Sequence, residues 1–470
     1  MNLATLEPVP TLRRRLQTEL AHSFIADRPT RVARAPGQLD VMGGIADYMG
    51  SLVLAMPLGA AAAVALQERD DRQVQVMSFN LLDDHKPFQF QMPLDGLTAS
   101  LPELRRELEV PGREWAGYAV GPIAVLHDEG LTDLKTIERG FNLAILSTVP
   151  DDGVGASAAL EVAVMNALVD HLGLEALRTD PVRLATLCQR AENEVVGTPC
   201  GVVDPMASHL GEAGRLLKMV CQPHDVQGHV DLPSGFRVVG IDTNVRHSVG
   251  GGAYGRTRTA AFMGHRLILE EIRQLAKAAN KSMRTDPTGG YLANLDPDDY
   301  KRLFRPKLPE AMTGKAFLDA FDEHGDAATT VDPKATYQIQ AACDHHVLEN
   351  RRVHRFADFL AVGDEKAMRS AGHLMYASHK SYTDNARLGA PEADVVVDLV
   401  KTAESDGLYG ARITGGGAGG TVAVLLRDDA KATAALDRLV ADYAARTQVT
   451  PQLLDSSSAG AATTKSNVLP

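Results

Sequence analysis

The spacing of apolar and polar positions divides the chain into elements before any chemistry is considered. Thr11 to His22 carries leucines at helical spacing and no Pro or Gly, which predicts a helix. Thr30 to Ala35 and Ser51 to Pro57 predict strands, and Ala60 to Gln67 with Gln73 to Ser78 a strand pair. The apolar run Leu52 to Leu66 is broken by Pro57 and Gly59, so it predicts two buried strands meeting at a turn. It is too short to span a bilayer. Trp115 to Glu129 has the 3.6-residue period, Gly140 to Thr148 predicts a strand, and Ala158 to Leu172 a strongly amphipathic helix. Pro181 to Val196 predicts another, with Asp180 as its N-cap.

Further on, Phe236 to Asp242 predicts a strand, and Arg256 to Ala279, His345 to Val362, Glu365 to Lys380 and Lys431 to Arg446 predict helices. Ala411 to Leu426 has the form strand, glycine loop, strand. The polar stretch Asn280 to Asp299 predicts an exposed insertion, and the Ser/Ala/Thr-rich Ser456 to Pro470 a mobile tail. Strand pairs and helices without regular β-α alternation predict an α+β fold. With 470 residues the chain is expected to hold more than one domain, divided here as 1–225 and 226–455, followed by a tail at 456–470.

Charge narrows the partners. The net charge is −12 and no stripe of Lys and Arg follows a nucleic-acid backbone, so nucleic acid is set aside. An acidic chain that binds phosphate must supply local positive charge, a metal or backbone N–H groups. The four cysteines, Cys188, Cys200, Cys221 and Cys343, show no C-x-x-C spacing and are expected to be reduced thiols of a cytosolic protein. Met1 to Phe24 lacks the pattern of a secretory signal. The expectation is a cytoplasmic protein with no membrane partner, a monomer or small homo-oligomer.

Two glycine loops carry candidate chemistry. Gly153-Val154-Gly155-Ala156-Ser157-Ala158 precedes the helix that starts near Ala158. Small residues allow close backbone approach, and the first N–H groups of a helix lack internal partners and carry partial positive charge. Together they suit a phosphate. Ser157 adds a hydroxyl able to ligate Mg²⁺. The spacing Gly153-x-Gly155-x-x-Ala158 also satisfies a dinucleotide fingerprint, but Val149 to Asp152 separates it from the strand, and no Lys follows as in a Walker loop. The second loop, Thr414-Gly415-Gly416-Gly417-Ala418-Gly419-Gly420, holds five glycines where a hairpin needs one or two. The surplus points to backbone packed against a ligand or another loop. Two carboxylates stand out between the loops: Glu192 late in a helix and Asp204 in an apolar loop, where a charge is costly without a partner or a task.

Arg34-Ala35-Pro36-Gly37-Gln38-Leu39-Asp40-Val41-Met42-Gly43-Gly44-Ile45-Ala46-Asp47-Tyr48, the Gly153 loop and the Gly415 loop, in this order, resemble the three motifs of the GHMP kinases. Cys188-Gln189-Arg190-Ala191-Glu192-Asn193, Val245 to Gly251 and Leu408-Tyr409-Gly410-Ala411 resemble the galactokinase and arabinokinase branch. The resemblance runs from about residue 30 to 455. It implies a two-domain fold, with an N-terminal domain like domain 2 of ribosomal protein S5 and a ferredoxin-like C-terminal domain. It also implies an ATP-dependent sugar 1-kinase that uses Mg²⁺. On that resemblance Asp204 is the base for the sugar hydroxyl, with position 38 beside it. Ser157 and Glu192 are Mg²⁺ ligands. Residues Gly153 to Ala158, Gly416 and Gly417 hold the ATP phosphates, and Trp115 and Tyr118 lie by the adenine. Asp47, Gly44, Ile45, Gly201 and Tyr254 contact the sugar. Spacing alone leaves Trp115 and Tyr118 equally suited to a core.

The departures shape the substrate expectation. Galactokinases have Glu-His at Gly44-Ile45, a pair that contacts the 6-hydroxyl. L-Arabinopyranose lacks that hydroxymethyl group, so Gly-Ile favours L-arabinose, with D-galactose as the alternative. The family's Arg is Gln38 here, its serine cluster is reduced to Gly155-Ala156-Ser157, and Pro205 follows Asp204 in place of Gln. A catalytically weak sugar and ATP sensor is the competing expectation.

Overall fold

The computed structural model describes residues 7–245, 252–281 and 285–469. Arg246 to Gly251 of the motif beginning at Val245 lie outside the described residues. The chain forms two compact units, one of residues 1–39, 56–216 and 454–470, the other of residues 40–55 and 217–453.

In the first unit, strand pairing brings distant segments into one sheet. Gln73–Ser78 lies between Gln89–Pro93, its antiparallel partner, and Phe141–Ser147, which it joins in parallel. Phe141–Ser147 in turn pairs antiparallel with residues 62–68. Alternate residues face opposite sides of a sheet. Val64, Leu66, Val74, Val76, Leu143 and Ile145 therefore pack with the helices Gly117–Asp128, Ala156–Leu172 and Pro181–Ala191. Ala63, Ala65, Met77, Ala144 and Leu146 pack with Leu12 and Leu16 of the helix Pro8–Glu19. Both faces are covered, which explains why residues 62–68 and Phe141–Ser147 are mostly apolar.

Three expectations are corrected. Ser51 to Pro57 and Ala60 to Gln67 belong to one continuous strand, Leu52–Glu68. Pro57 is tolerated because it falls where pairing changes: residues 52–55 pair with 217–220, and residues 62–68 with 141–147. The strand pair proposed between Ala60 to Gln67 and Gln73 to Ser78 is not formed, because Phe141–Ser147 lies between them. The Ser/Ala/Thr-rich end is held in place. Ser457 and Ser458 donate to the carbonyls of Pro57 and Leu58 at 2.5 and 2.7 Å, Ala461 is buried, and Asn467–Leu469 pairs antiparallel with residues 30–32.

The second unit holds a sheet in the order Leu408–Ile413, Thr421–Arg427, Phe236–Asp242 and Gln452–Leu454. Helices Gly252–Ala278, Ile339–Val362, Glu365–Ser381, Pro391–Thr402 and Ala430–Thr447 accompany it. Leu292 and Thr288, within the stretch expected to be exposed, are buried, and Leu292 joins this unit's core. The four cysteines are free thiols. No helix among the described residues is long and apolar enough to cross a membrane.

Candidate active site

In the first unit the phosphate-loop candidates and the candidate base come together. Gly155 caps the helix Ala156–Leu172 with φ +66°, a left-handed conformation that suits glycine. A Cβ at this position would stand 3.3 Å from both Asp204 Cβ and Gln38 Cγ, so the loop lies directly on the carboxylate and the amide. Gln38 is fully buried; its backbone N–H donates to Val154 O at 2.9 Å and its Nε2 to Asp204 Oδ1 at 2.7 Å. Gln38 Oε1 has no hydrogen-bond partner among the described residues. Asp204 opens the helix Val203–Leu210, and Ser208 on that helix donates to Pro36 O at 2.7 Å. Ala156, Ser157 and Ala158 form the first turn after Gly155, where helix N–H groups lack internal acceptors. Gly153 and Val154 lead into it, and Gly201 lies half-buried in the loop before Val203–Leu210.

Glu192 is reached by a second route. The helix Pro181–Ala191, capped by Asp180 accepting from Arg183 N at 3.0 Å, widens into a π-turn at Glu192–Val196. Such turns recur at functional sites because they re-aim a side chain. Burial pushes the Glu192 carboxyl above its ordinary value, against hydrogen bonds from Cys200 and Ser157. Burial also raises Tyr118, which hydrogen-bonds Thr198 and feels Glu192. Trp115 is half-buried against the unit's core, and its Nε1 donates to Gly112 O at 3.1 Å.

The second unit holds Gly44, Ile45, Asp47, Tyr254, Gly416 and Gly417. Asp47 is buried in the 3-10 turn Gly44–Met49, and its Oδ1 accepts from Tyr48 N at 2.6 Å. Tyr254 meets Tyr48 edge to face at 5.9 Å, and its ring lies 3.7 Å from where a Cβ on Gly416 would stand. The glycine loop is closed by Thr414 N donating to Thr421 O at 3.0 Å. Gly415, Gly417, Gly419 and Gly420 all have positive φ, so the loop's own path accounts for much of the glycine surplus.

Residues 119–212 match the GHMP kinases N terminal domain, and residues 360–445 match GHMP kinases C terminal. The chain is 32% identical to galactokinase of Chloroflexus aggregans over 92% of both sequences. The chain belongs to the GHMP kinase family. It lies on the branch that includes galactokinase and L-arabinokinase: L-arabinokinase of Arabidopsis thaliana is 37% identical over 92% of this chain. The chain spans about half the length of that relative, 46%. Its fold matches galactokinase of Lactococcus lactis, solved with galactose, at a TM-score of 0.71 and 22% identity, covering 97% of this chain and all of the other.

For a GHMP kinase the co-substrate is ATP. The sequence reading missed two side chains near these sites. Glu161 sits one helical turn after Ser157 on the same helix and is fully buried, with neither carboxyl oxygen hydrogen-bonded to any described residue. Burial, then Glu192, pushes it well above the ordinary glutamate range. Its i, i+4 relation to Ser157 was the available signal. Tyr382, in the second unit, donates its hydroxyl to Gly415 O at 3.0 Å and accepts from Ile45 N at 2.9 Å. Nothing local in the sequence marks it.

Proposed function

We propose that this GHMP kinase transfers the γ-phosphoryl group of ATP to the anomeric hydroxyl of a monosaccharide, with L-arabinose preferred to D-galactose. The observation that carries the reading is Asp204, held by Gln38 Nε2 at 2.7 Å against the glycine cap of the phosphate-loop helix. Asp204 takes the proton of the sugar hydroxyl, the hydroxyl oxygen forms the new bond to the γ-phosphorus, and the bond to the β,γ-bridging oxygen breaks to release ADP. The N–H groups of residues 156–158 oppose the charge on the phosphates. Gln38 donates a hydrogen bond and no net charge, so it orients Asp204 without the electrostatic pull of an arginine.

Ser157 and Glu192 fit a divalent cation. They are hard oxygen donors already joined by a hydrogen bond, and no cationic side chain among the described residues compensates the buried Glu192. Mg²⁺ bound there would neutralise phosphate charge. The preference for L-arabinose is supported by Gly44 and Ile45, which offer no polar side chain to a hydroxymethyl group. D-Galactose is the second reading, favoured by the match to galactokinase over nearly the whole of both chains.

The test is Mg²⁺-dependent ADP release with L-arabinose, with D-galactose and without sugar, for the natural chain and Asp204→Asn. Release that requires L-arabinose and is lost in the variant is the expected result. A preference for D-galactose would keep the kinase and remove the pocket argument. No sugar-dependent release, with sugar still changing Trp115 fluorescence, would replace catalysis by sensing.

A further inference from the structure

At Gly44 the backbone has φ +51°, and the space beside it is already filled. A Cβ built there would stand 1.7 Å from the Tyr382 hydroxyl oxygen and 2.7 Å from Arg412 Nη2. Both side chains are fully buried and strongly held. The Tyr382 hydroxyl accepts from Ile45 N and donates to Gly415 O, so one oxygen ties the turn that carries Asp47 to the start of the glycine loop. Arg412 backs the tyrosine, its guanidinium 5.2 Å from the ring centre. Its Nη1 donates to Asp40 Oδ2 at 2.9 Å and its Nε to Ser378 Oγ at 3.1 Å, while Nη2, the atom beside Gly44, has no hydrogen-bond partner among the described residues. Asp40 Oδ1 accepts from Gly44 N at 3.1 Å. The turn is therefore bound on both sides, to Asp40 and to Tyr382.

We propose that Tyr382, backed by Arg412, is a specificity-determining residue: it occupies the volume of a side chain at position 44 and so fixes that wall of the sugar site as bare backbone. The proposal rests on the sugar-kinase reading above. Position 44 and position 382 then form one steric unit. A side chain at 44 is compatible only with a smaller residue at 382, and a smaller residue at 382 opens room beside Gly44 for a larger sugar substituent.

The experiment compares the natural full-length chain with Tyr382→Leu, Tyr382→Phe, Gly44→Ala and the Gly44→Ala/Tyr382→Leu pair. Turnover and calorimetric binding are measured with L-arabinose and with D-galactose. Tyr382→Leu is expected to raise the ratio of D-galactose to L-arabinose kcat/KM by at least about tenfold, the discrimination carried by a methylene-sized space. The KM for ATP is expected to stay within about twofold, as remote nucleotide binding is uniform to both sugars. Gly44→Ala should lower kcat/KM for both sugars, and adding Tyr382→Leu should restore it, the non-additivity of two residues that share one space. If Tyr382→Leu does not fold, Tyr382→Phe carries the test, with a shift in the same direction of at least about threefold. A parallel loss for both sugars with unchanged kinetic and binding ratios, and no rescue in the pair, overturns the proposal alone. A natural chain that neither turns over nor binds either sugar overturns it together with the sugar-kinase reading.

Discussion

In the second unit the buried charges Asp40, Arg412, Glu349 and Arg258 meet opposite ones. Arg412 and Asp40, 0% and 1% exposed, lie 2.9 Å apart; Arg352 reaches Glu349 at 2.5 Å, and Arg258 reaches Asp326 at 2.8 Å. Around Glu192 in the first unit the acids are handled differently. Glu161 and Glu192 are both buried, and no cationic side chain among the described residues acts on either. Asp204 accepts one of its hydrogen bonds from the neutral amide of Gln38. Gln38 and Asp40 are two positions apart on the strand Thr30–Met42, so one strand supplies both kinds of partner. A pair closed within the protein fixes a conformation, whereas a buried acid without a cation costs stability and suits a site whose positive charge arrives with its ligands.

The largest test of this contrast is Asp204→Asn. If the first unit's acids serve chemistry, sugar-dependent ADP release should fall by about 10²–10⁴-fold, the range of general-base catalysis, with little change in urea unfolding. A variant that keeps turnover but loses stability would erase the contrast. Next comes Arg412→Met, which leaves Asp40 buried and uncompensated. It should cost about 3–5 kcal/mol in urea unfolding, with much of that loss recovered in the Asp40→Asn/Arg412→Met pair. Unchanged stability would show that the pair is not structural.

Gln38→Ala sharpens the comparison at a smaller scale. It removes a hydrogen bond to a carboxylate, a loss of about 1.5–3 kcal/mol, and should appear as a lower kcat with an unchanged KM for ATP. An equal loss in unfolding stability would make Gln38 part of the scaffold.

Short contiguous motifs marked the first unit's candidate residues in the sequence. Gly153 to Ser157, Glu192 and Asp204 each carry a local signal, and Asp180 marked a helix start that its side chain indeed caps. Helices of clear 3.6-residue period, such as Glu365–Ser381 and Ala430–Thr447, were also found close to their observed ends. Pairing between distant segments was not legible. Pro57 looked like a break because the change of sheet partner at that point involves residues 217–220 and 141–147. Residues 467–469 return to residues 30–32, a contact that composition cannot suggest. Tyr382 stayed hidden for the same reason: it meets Ile45 from 337 positions away. The missing side chain at Gly44 therefore leaves no empty space, since Tyr382 and Arg412 fill its place.

The smallest expected effect is also the one that separates cost from use in the first unit. Burial, with Glu192 adding to it, raises the Glu161 carboxyl well above the ordinary glutamate range. The folded chain therefore keeps a proton that the unfolded chain releases at ordinary acidity. Above that ordinary value the unfolded state binds fewer protons, so stability falls as pH rises and levels off only above the folded value. Glu161→Met removes both the proton and the unpartnered oxygens while roughly keeping the volume. In urea unfolding without nucleotide or divalent cation, this variant should gain about 1–3 kcal/mol near pH 8, with a gain that shrinks toward pH 5. A constant difference across that range would mean that Glu161 is not a held proton. Gained stability with unchanged sugar-dependent turnover would make Glu161 a cost without a use; gained stability with lost turnover would place this acid with Glu192 and Asp204 in the chemistry.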